Sequence, residues 1–223
     1  MQQSLQQKKG LVQNVFDKVY DKYDLMNDLM SLGIHRIWKK DFIMMMSPAI
    51  NKKLIDVGCG TGDIGDIFLK AVKSKGKVFN IDPNKKMIAQ GKKRFGVNKN
   101  VNWKIGSGEK LPYKKNSFDY YTISFGMRNT KNINTTLKEA YRVLKPGGRF
   151  LCLEFSKIQN QNLETIYKKY SEILPFIGEL IVGKKQPYEY LIESIEKFIN
   201  QEQLIYLMEK NNFKNCKYRN LSG

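Results

Sequence analysis

Residues 53–63 read KLIDVGCGTGD, a short apolar run that leads into a turn with three glycines. Such a run is typical of a buried strand, and the glycines after it let the backbone approach a ligand closely. The apolar residues that follow, at Ile64, Ile67 and Phe68, recur at helical spacing. The segment therefore predicts the first strand, ligand-binding turn and helix of an α/β domain.

Further strands alternate with helices along the chain. Apolar runs predict the next four strands at 77–82, 101–106, 118–126 and 149–156. Helical patterns predict helices near 84–94 and 134–144, and Pro146-Gly147-Gly148 stops the second of them. This alternation predicts a doubly wound, mostly parallel sheet with helices on both faces.

Both ends of the chain add elements to this predicted sheet. Residues 11–23 have the apolar spacing of an amphipathic helix, and 160–200 form an aromatic-rich helical region. A last helix is predicted at 201–210, and KNCKYRN at 214–220 is predicted to be a sixth strand.

Composition limits the function classes. With 223 residues, 41% hydrophobic, the chain suits one large α/β domain and excludes a wholly disordered protein. Its 39 Lys and Arg against 21 Asp and Glu give a net charge of +18, which attracts nucleic acid, anionic membrane or anionic substrates. Because the lysines are spread along the chain rather than clustered with aromatics, solvated lysines are favoured over a nucleic-acid surface. A contribution to membrane binding stays open.

The cysteines, the single histidine and the hydropathy pattern limit the expected compartment and exclude some kinds of site. The three Cys form no closely spaced framework, which predicts a reducing, cytoplasmic compartment. One His and no cluster of ligand residues predict that no metal is bound. No signal or transit peptide is apparent, and no apolar run approaches the roughly 20 residues of a membrane span. We expect a soluble or peripheral protein.

The glycine turn supports two kinds of ligand. Gly60-x-Gly62-x-x-Gly65, with Asp82 twenty residues past Gly62, matches a dinucleotide fingerprint. Asp56 and Asp63 flank the turn, however, where a pyrophosphate would need bare amides and a helix N-terminus. Two carboxylates favour a ligand with positive charge, such as S-adenosylmethionine with its ammonium and sulfonium groups.

Other candidate cofactor contacts follow the strands. Asp82 would accept hydrogen bonds from both ribose hydroxyls, and its alternative role is a helix N-cap before Pro83. Ser107-Gly108 follows the third strand near the expected adenine edge, with a simple turn as the alternative. Ser124 lies at the carboxyl end of the fourth strand, where open α/β sheets bind ligands. Its alternative is a strand serine with its hydrogen bonds satisfied.

Four segments together resemble one enzyme family. The pattern YDxMNxxMSxxxHxxW at 23–38 resembles the amino-terminal signature of the ubiquinone/menaquinone biosynthesis C-methyltransferases. RVLKPGG through LEFS, at 142–156, is similar to their second signature, and TISFGMRN at 122–129 and YEYL at 188–191 also match. The resemblance covers nearly the whole chain, and its amino-terminal part is the most specific.

The resemblance implies a class I methyltransferase with a Rossmann-like fold and S-adenosylmethionine as cofactor. Its cofactor contacts carry over to Thr61, Asp82, Ser107, Gly108 and Ser124, beside Gly58 and Gly60 of the turn. The implied single domain has an amino-terminal helical lid at 1–50, a cofactor-binding core at 51–156, a helical substrate cover at 157–200 and a carboxyl-terminal helix and strand at 201–223.

Two departures from the family pattern are visible. Ser107-Gly108 stands where the family usually has a small amide–alanine pair. The family also continues past NLSG into a final strand, so the resemblance implies either a chain truncated after Gly223 or an incomplete sheet edge.

The implied reaction is methyl transfer to a ring carbon of a reduced polyprenyl benzoquinol or demethylmenaquinol. Arg128, just past the fourth strand, is the candidate that stabilises the phenolate, and a surface salt bridge is its alternative role. His35 is the second catalytic candidate; its alternative is capping or packing near Trp38.

The implied substrate also suggests partners. The amino-terminal helix and the aromatic helices at 160–200 would cover the isoprenoid tail, with ordinary core packing as the alternative. The basic protein would contact the anionic inner face of a membrane, and a homodimer or a quinone-synthesis complex stays open.

Two rivals come from other function classes. A nucleic-acid base methyltransferase would explain the charge, but SFGMRN (124–129) is not the Asn/Asp-Pro-Pro-aromatic tetrad that clamps a flipped base. A non-catalytic, cofactor-binding scaffold is the other rival.

Overall fold

The computed structural model describes residues 23–183 and 185–221, which divide into two compact units. The core unit comprises Lys39–Glu154 and Leu207–Lys214, and the helical unit comprises the described residues up to Trp38, Phe155–Tyr206 and those from Asn215 onward. The helix predicted at 11–23 lies outside the described residues apart from Tyr23.

The core unit contains a five-stranded sheet. Its strands are β1 (Lys53–Val57), β2 (Lys77–Asp82), β3 (Val101–Ile105), β4 (Phe118–Ser124) and β5 (Leu144–Leu153). All pairings are parallel and the order is β3-β2-β1-β4-β5, which confirms the predicted α/β sheet. Because β1 pairs with both β2 and β4, the strand order reverses at β1, and a crevice is expected outside the carboxyl ends of these strands.

Helices follow most of the strands, whereas β3 and β4 are joined by a segment without a helix. The helices are α1 (Tyr23–Ser31), α2 (His35–Met45), α3 (Asp63–Ala71), α4 (Lys85–Phe95), α5 (Ile133–Val143), α6 (Gln161–Val182), α7 (Gln186–Glu196) and α8 (Gln201–Lys210). Asparagine caps three of them: the side chains of Asn84, Asn132 and Asn160 accept backbone N–H groups in the first turns of α4, α5 and α6.

Burial follows the position of each strand in the sheet. All but the first residue of the central strand β1 is buried, whereas no residue of the edge strand β3 is. An apolar run does not by itself predict a central strand, since the apolar run of β5 lies at the other edge of the described sheet and most of the residues of β5 are not buried.

The last strand begins earlier than its sequence suggests. β5 starts at Leu144, before the Pro146-Gly147-Gly148 turn, and its register with β4 shifts after Leu144 pairs with Phe118. The glycines accommodate this irregularity: a β-carbon on Gly148 would lie 2.8 Å from the Lys145 carbonyl oxygen. The Pro146-Gly147-Gly148 turn therefore follows the end of α5 and lies within β5.

The sixth strand predicted at 214–220 is wrong. Residues 214–220 contain no strand. The polar side chains of this segment bond within the helical unit, where Tyr218 donates to Glu202 and Asn220 donates to Gln159. The segment has few residues that favour strands, and no neighbouring strand among the described residues forms hydrogen bonds with its backbone, so it stays irregular.

The helical unit has its own apolar cluster. Met30 of α1, Leu174 of α6 and three residues of α7, namely Tyr188, Leu191 and Ile195, are buried together. Gly178 admits the Tyr188 ring, since a β-carbon there would lie 2.2 Å from two ring carbons. Among the described helices, none is long and apolar enough to cross a membrane.

Candidate active site

The glycine turn after β1 is held at the carboxyl edge of the sheet. The Cys59 amide donates to the Ile81 carbonyl of β2 at 3.1 Å. A β-carbon on Gly62 would lie 2.6 Å from the Trp103 ring, so bulk is excluded on that side. Gly60 differs: its φ is +54° and a β-carbon would meet no atom within 4 Å. The turn therefore presents bare backbone to open space at Gly60.

Asp82 lies directly beside this turn. One carboxylate oxygen accepts the Gly60 N–H at 2.9 Å and the other accepts the Asn84 N–H at 2.8 Å. Burial raises the Asp82 pKa to about 6, against the lowering effect of these two bonds. The alternative N-cap role is wrong because Asn84 caps α4. Each carboxylate oxygen can accept one more hydrogen bond, as a pair of ribose hydroxyls would require.

Asp56 and Asp63 have different environments. Asp56 is buried and one of its oxygens accepts the Thr122 hydroxyl at 2.8 Å; burial raises its pKa to about 7. Burial also acts to raise the pKa of Asp63, but Lys39 and Arg94 outweigh it and lower the pKa to about 2. The interpretation that Asp63 receives a cationic ligand is corrected: its carboxylate is bonded to Lys39 and Arg94.

Asp63 and Asp66 also lie in the first turn of α3. Both carboxylates are paired with cations, Asp63 with Lys39 and Arg94 and Asp66 with Lys70, so their charge does not by itself decide against a pyrophosphate.

The turns after β3 and β4 meet the glycine turn at the same edge. A β-carbon on Gly108 would lie 3.2 Å from Val57 at the end of β1, and one on Gly58 would lie 3.7 Å from the Gly126 backbone. The Ser124 hydroxyl is buried and has no hydrogen-bond partner within the described residues. The alternative of a satisfied strand serine is therefore wrong, and Ser124 fits a ligand that supplies a partner.

Ser107 and Gly108 form the turn named as their alternative role. The Lys110 N–H donates to the Ser107 carbonyl at 3.3 Å, and Thr61 of the glycine turn is buried in the same unit. Contact of Thr61, Ser107 and Gly108 with a cofactor stays a prediction.

Arg128 forms a buried ion pair rather than a surface salt bridge. It lies in the 3₁₀ turn Met127–Asn129 after β4, and its Nη1 donates to the Phe125 carbonyl at 2.8 Å and to Glu154. Its backbone N–H donates to the other Glu154 oxygen at 3.3 Å. Both side chains are nearly inaccessible. The guanidinium is thus fixed and charge-balanced.

Glu154 is a residue that the sequence analysis missed. It directly follows β5, and β5 pairs with β4 up to Ser124 and Leu153. A charged residue at the carboxyl end of an apolar run, FLCLE, was the available signal.

Within the described residues, no group of three or more His, Cys, Asp and Glu could hold a metal ion.

His35 lies in the helical unit. It is buried, its Nε2 lies 2.8 Å from Asp28 Oδ1, and its backbone N–H donates to the Ser31 hydroxyl at 3.2 Å at the start of α2. Trp38 packs edge-on against Phe155 with ring centroids 6.0 Å apart. These contacts give His35 a structural role; contact with substrate stays a prediction.

The core unit fits S-adenosylmethionine. Gly60 offers open backbone, Asp82 can accept further hydrogen bonds, and the Ser124 hydroxyl lacks a partner. Together with a parallel sheet of order 3-2-1-4-5, these features define a class I, S-adenosylmethionine-dependent methyltransferase. In agreement, an S-adenosylmethionine-dependent methyltransferase from Thermotoga maritima has the same fold (TM-score 0.63, 21% identity, 91% of this chain and 81% of that chain covered).

The chain belongs to the ubiE/COQ5 methyltransferase family, whose model matches residues 1–223. It is 46% identical to the ubiquinone/menaquinone biosynthesis C-methyltransferase UbiE of Rickettsia prowazekii and 49% identical to that of Rickettsia massiliae. Both alignments cover 97% of this chain and 90% of the relative. The predicted family, enzyme class and methyl donor are confirmed.

Cofactor affinity is expected to rise with pH as Asp82 ionises. The ionised carboxylate accepts the ribose hydrogen bonds, so affinity should fall by up to about tenfold per pH unit below the Asp82 pKa of about 6. Calorimetric titrations between about pH 5 and 8 measure this dependence. Asp82→Asn, which has no carboxylate to ionise at this position, should lose this step. A wild-type profile that is flat over this range would contradict the assignment.

Proposed function

We propose that this enzyme methylates a ring carbon of a reduced polyprenyl benzoquinol or demethylmenaquinol in ubiquinone or menaquinone biosynthesis. The observation that carries the proposal is the 46–49% identity, over 97% of the chain, to relatives named for this reaction. Arg128, just past β4, is the candidate for stabilising the negative charge that such a reaction develops, although Glu154 already balances part of the charge of its guanidinium.

The site residues contribute in two ways: they align the methyl donor with the ring carbon, and they stabilise charge. When bound, S-adenosylmethionine supplies a methyl group on a sulfonium, held by the glycine turn, Asp82 and Ser124. An aromatic carbon becomes nucleophilic when an adjacent ring hydroxyl loses its proton, so the enzyme must favour the phenolate. Alignment of the reacting atoms contributes up to about 7–11 kcal/mol in well-oriented cases.

We assign phenolate stabilisation to Arg128. A guanidinium stays protonated, so it stabilises negative charge and does not act as a base. Glu154 and the Phe125 carbonyl hold it in place, so little reorganisation is needed when the phenolate forms. We keep His35 as the second candidate for substrate contact.

We also propose that the helical unit receives the prenyl tail, through its aromatic-rich helices α6 and α7. The enzyme would act at the inner face of a membrane in the cytoplasm, with its charge of +18 attracted to anionic lipid. We further propose that the enzyme associates as a homodimer or within a quinone-synthesis complex.

The purified enzyme with a labelled methyl donor should methylate a detergent-solubilised demethyl-quinol and leave the corresponding quinone unmodified. The oxidised ring has no hydroxyl to ionise, so its carbon is not nucleophilic. Incorporation of label into quinol and quinone is measured by chromatography, with bulk RNA as a third substrate.

Two outcomes of this assay would contradict the proposal. Label in RNA with none in quinol would favour a nucleic-acid methyltransferase. Label in no acceptor, together with measurable binding of the methyl donor, would favour a cofactor-binding scaffold.

A further inference from the structure

Large apolar side chains are exposed along one side of α6. Their exposed fractions are 43% for Leu163, 65% for Ile166, 54% for Ile173, 58% for Phe176 and 87% for Leu180. The spacings of three, seven, three and four residues keep them on one side of the helix. We call these five residues the α6 stripe.

Four residues of the α6 stripe lie away from the side of α6 that forms the core, whereas Leu163 lies at nearly the same angle around the helix as Tyr170 and Leu174. Leu174 is fully buried in the cluster with Met30 and Tyr188, and Tyr167 and Tyr170 pack against that cluster. The Tyr170 hydroxyl also donates to the Leu29 carbonyl of α1. The folding of the helical unit therefore does not require those four residues to be apolar.

The size of the stripe marks it as an interaction surface. From Leu163 to Leu180 it extends about 25 Å along the helix. If each side chain exposes roughly 100 Å², the stripe reaches about 500 Å², near the upper limit of patches on soluble monomers. Single exposed apolar residues need no explanation, but a row of them along one helix, interrupted by Lys169, does.

Charge distinguishes a lipid surface from a polyanion as the partner. Glu164 pairs with Lys168 at 2.8 Å, and Glu179 pairs with Lys185 at 3.2 Å, so the helix has little net charge. The core unit holds 26 basic against 10 acidic residues, a net +16, out of the +18 of the chain. The stripe therefore recognises apolar groups, whereas the core unit carries the attraction to anions.

A second copy of the chain fits the stripe less well than lipid does. Lys169 lies within the stripe, four residues before Ile173, and a dry seam between two helices would bury its ammonium. Two facing stripes would bury about 1,000 Å² in total, below the usual specific interface, and would join two chains of charge +18. At a lipid surface, the Lys169 stem can lie along the apolar side chains while its ammonium reaches phosphates.

We propose that the α6 stripe inserts into the boundary between headgroups and acyl chains of a membrane. The Lys185 ammonium, 4.2 Å from the centre of the Phe176 ring, places a second cation beside the inserted side chains. This inference rests on the proposed function, because a polyprenyl quinol resides in that lipid phase.

The test uses vesicles of phosphatidylcholine, alone or mixed with phosphatidylglycerol, and the full chain. Ile166→Gln/Ile173→Gln/Leu180→Gln should lower the fraction that cosediments with phosphatidylcholine vesicles at least tenfold. The loss should be smaller with vesicles that contain phosphatidylglycerol, because the core unit keeps its attraction to anions. Ile50→Gln/Val97→Gln/Ile105→Gln is the matched control, since it makes the same change at exposed residues of the core unit, and it should bind vesicles like the wild type. An unchanged circular dichroism spectrum and melting temperature show that the stripe variant is folded, since its substitutions lie in the helical unit.

Several results would overturn the inference. Vesicle binding of the stripe variant equal to that of the wild type would exclude the stripe as the docking surface. A wild-type dimer in light scattering without lipid, converted to a monomer by the stripe variant, would assign the stripe to a second copy. The quinol assay in detergent contains no vesicles, so its failure would contradict the proposed function separately.

Discussion

Arg128→Leu is expected to lower kcat and kcat/KM together by about 10²–10³-fold. The reason is that the cation would stabilise the phenolate as the methyl group moves, more than it stabilises the bound quinol. The affinity for the methyl donor should change little, because Arg128 belongs to the turn after β4 and not to the glycine turn. Steady-state kinetics on the quinol, with calorimetry of the methyl donor, measure both effects.

The control for Arg128→Leu must account for the buried Glu154, which pairs with Arg128. Loss of Arg128 alone leaves a buried carboxylate without its partner, which costs about 3–5 kcal/mol of stability. Arg128→Leu/Glu154→Leu removes both charges, so it should regain stability in a denaturation experiment and keep the loss in kcat. Arg128→Lys should recover only part of the activity, since a point charge does not reproduce the planar guanidinium.

Two results would contradict the assignment of phenolate stabilisation to Arg128. An increase in KM alone would mean that Arg128 only binds quinol and that catalysis rests on alignment. Full activity of Arg128→Leu would make His35 the next candidate, tested with His35→Asn.

Asp82→Ala is expected to weaken S-adenosylmethionine binding by roughly 1.5–3 kcal/mol, which is about 10–150-fold in Kd. The variant loses charge-assisted hydrogen bonds to the ribose, and the Gly60 N–H of the open turn loses its acceptor. Calorimetry measures the affinity, and the melting temperature shows whether the variant is folded. Asp82→Asn is the matched control: it keeps the shape and one acceptor oxygen, so its loss should be smaller.

An unchanged affinity in a folded Asp82→Ala protein would refute the assignment of Asp82 to the ribose. Binding of NADH to the wild type would instead revive the dinucleotide interpretation of the glycine fingerprint.

The sheet and the position of the site were predictable because their signals are local. The apolar run before Gly58 and the aspartate that ends the run at 77–82 each lie within one strand and its turn. The parallel order then brings these strand ends to one edge, so Asp82 and the glycine turn meet although 22 residues separate Asp82 from Gly60.

The partners of the charged residues were not predictable from spacing. Asp63 and Lys39 are 24 residues apart, and Arg128 and Glu154 are 26 apart; nothing periodic joins either pair. The strand expected at 214–220 failed for a related reason, since a strand depends on a neighbour that local pattern does not reveal.

The contact between Gly58 and Gly126 bears on how this enzyme tolerates sequence change. The loop that would hold the donor and the loop that leads to Arg128 approach each other at these glycines. A β-carbon on Gly58 would lie at an ordinary contact distance of 3.7 Å from Gly126, but Gly58 has a φ of +65°, which a side chain would strain. Gly58 is therefore the residue of this contact that a substitution would disturb more, and relatives that change their acceptor should keep it.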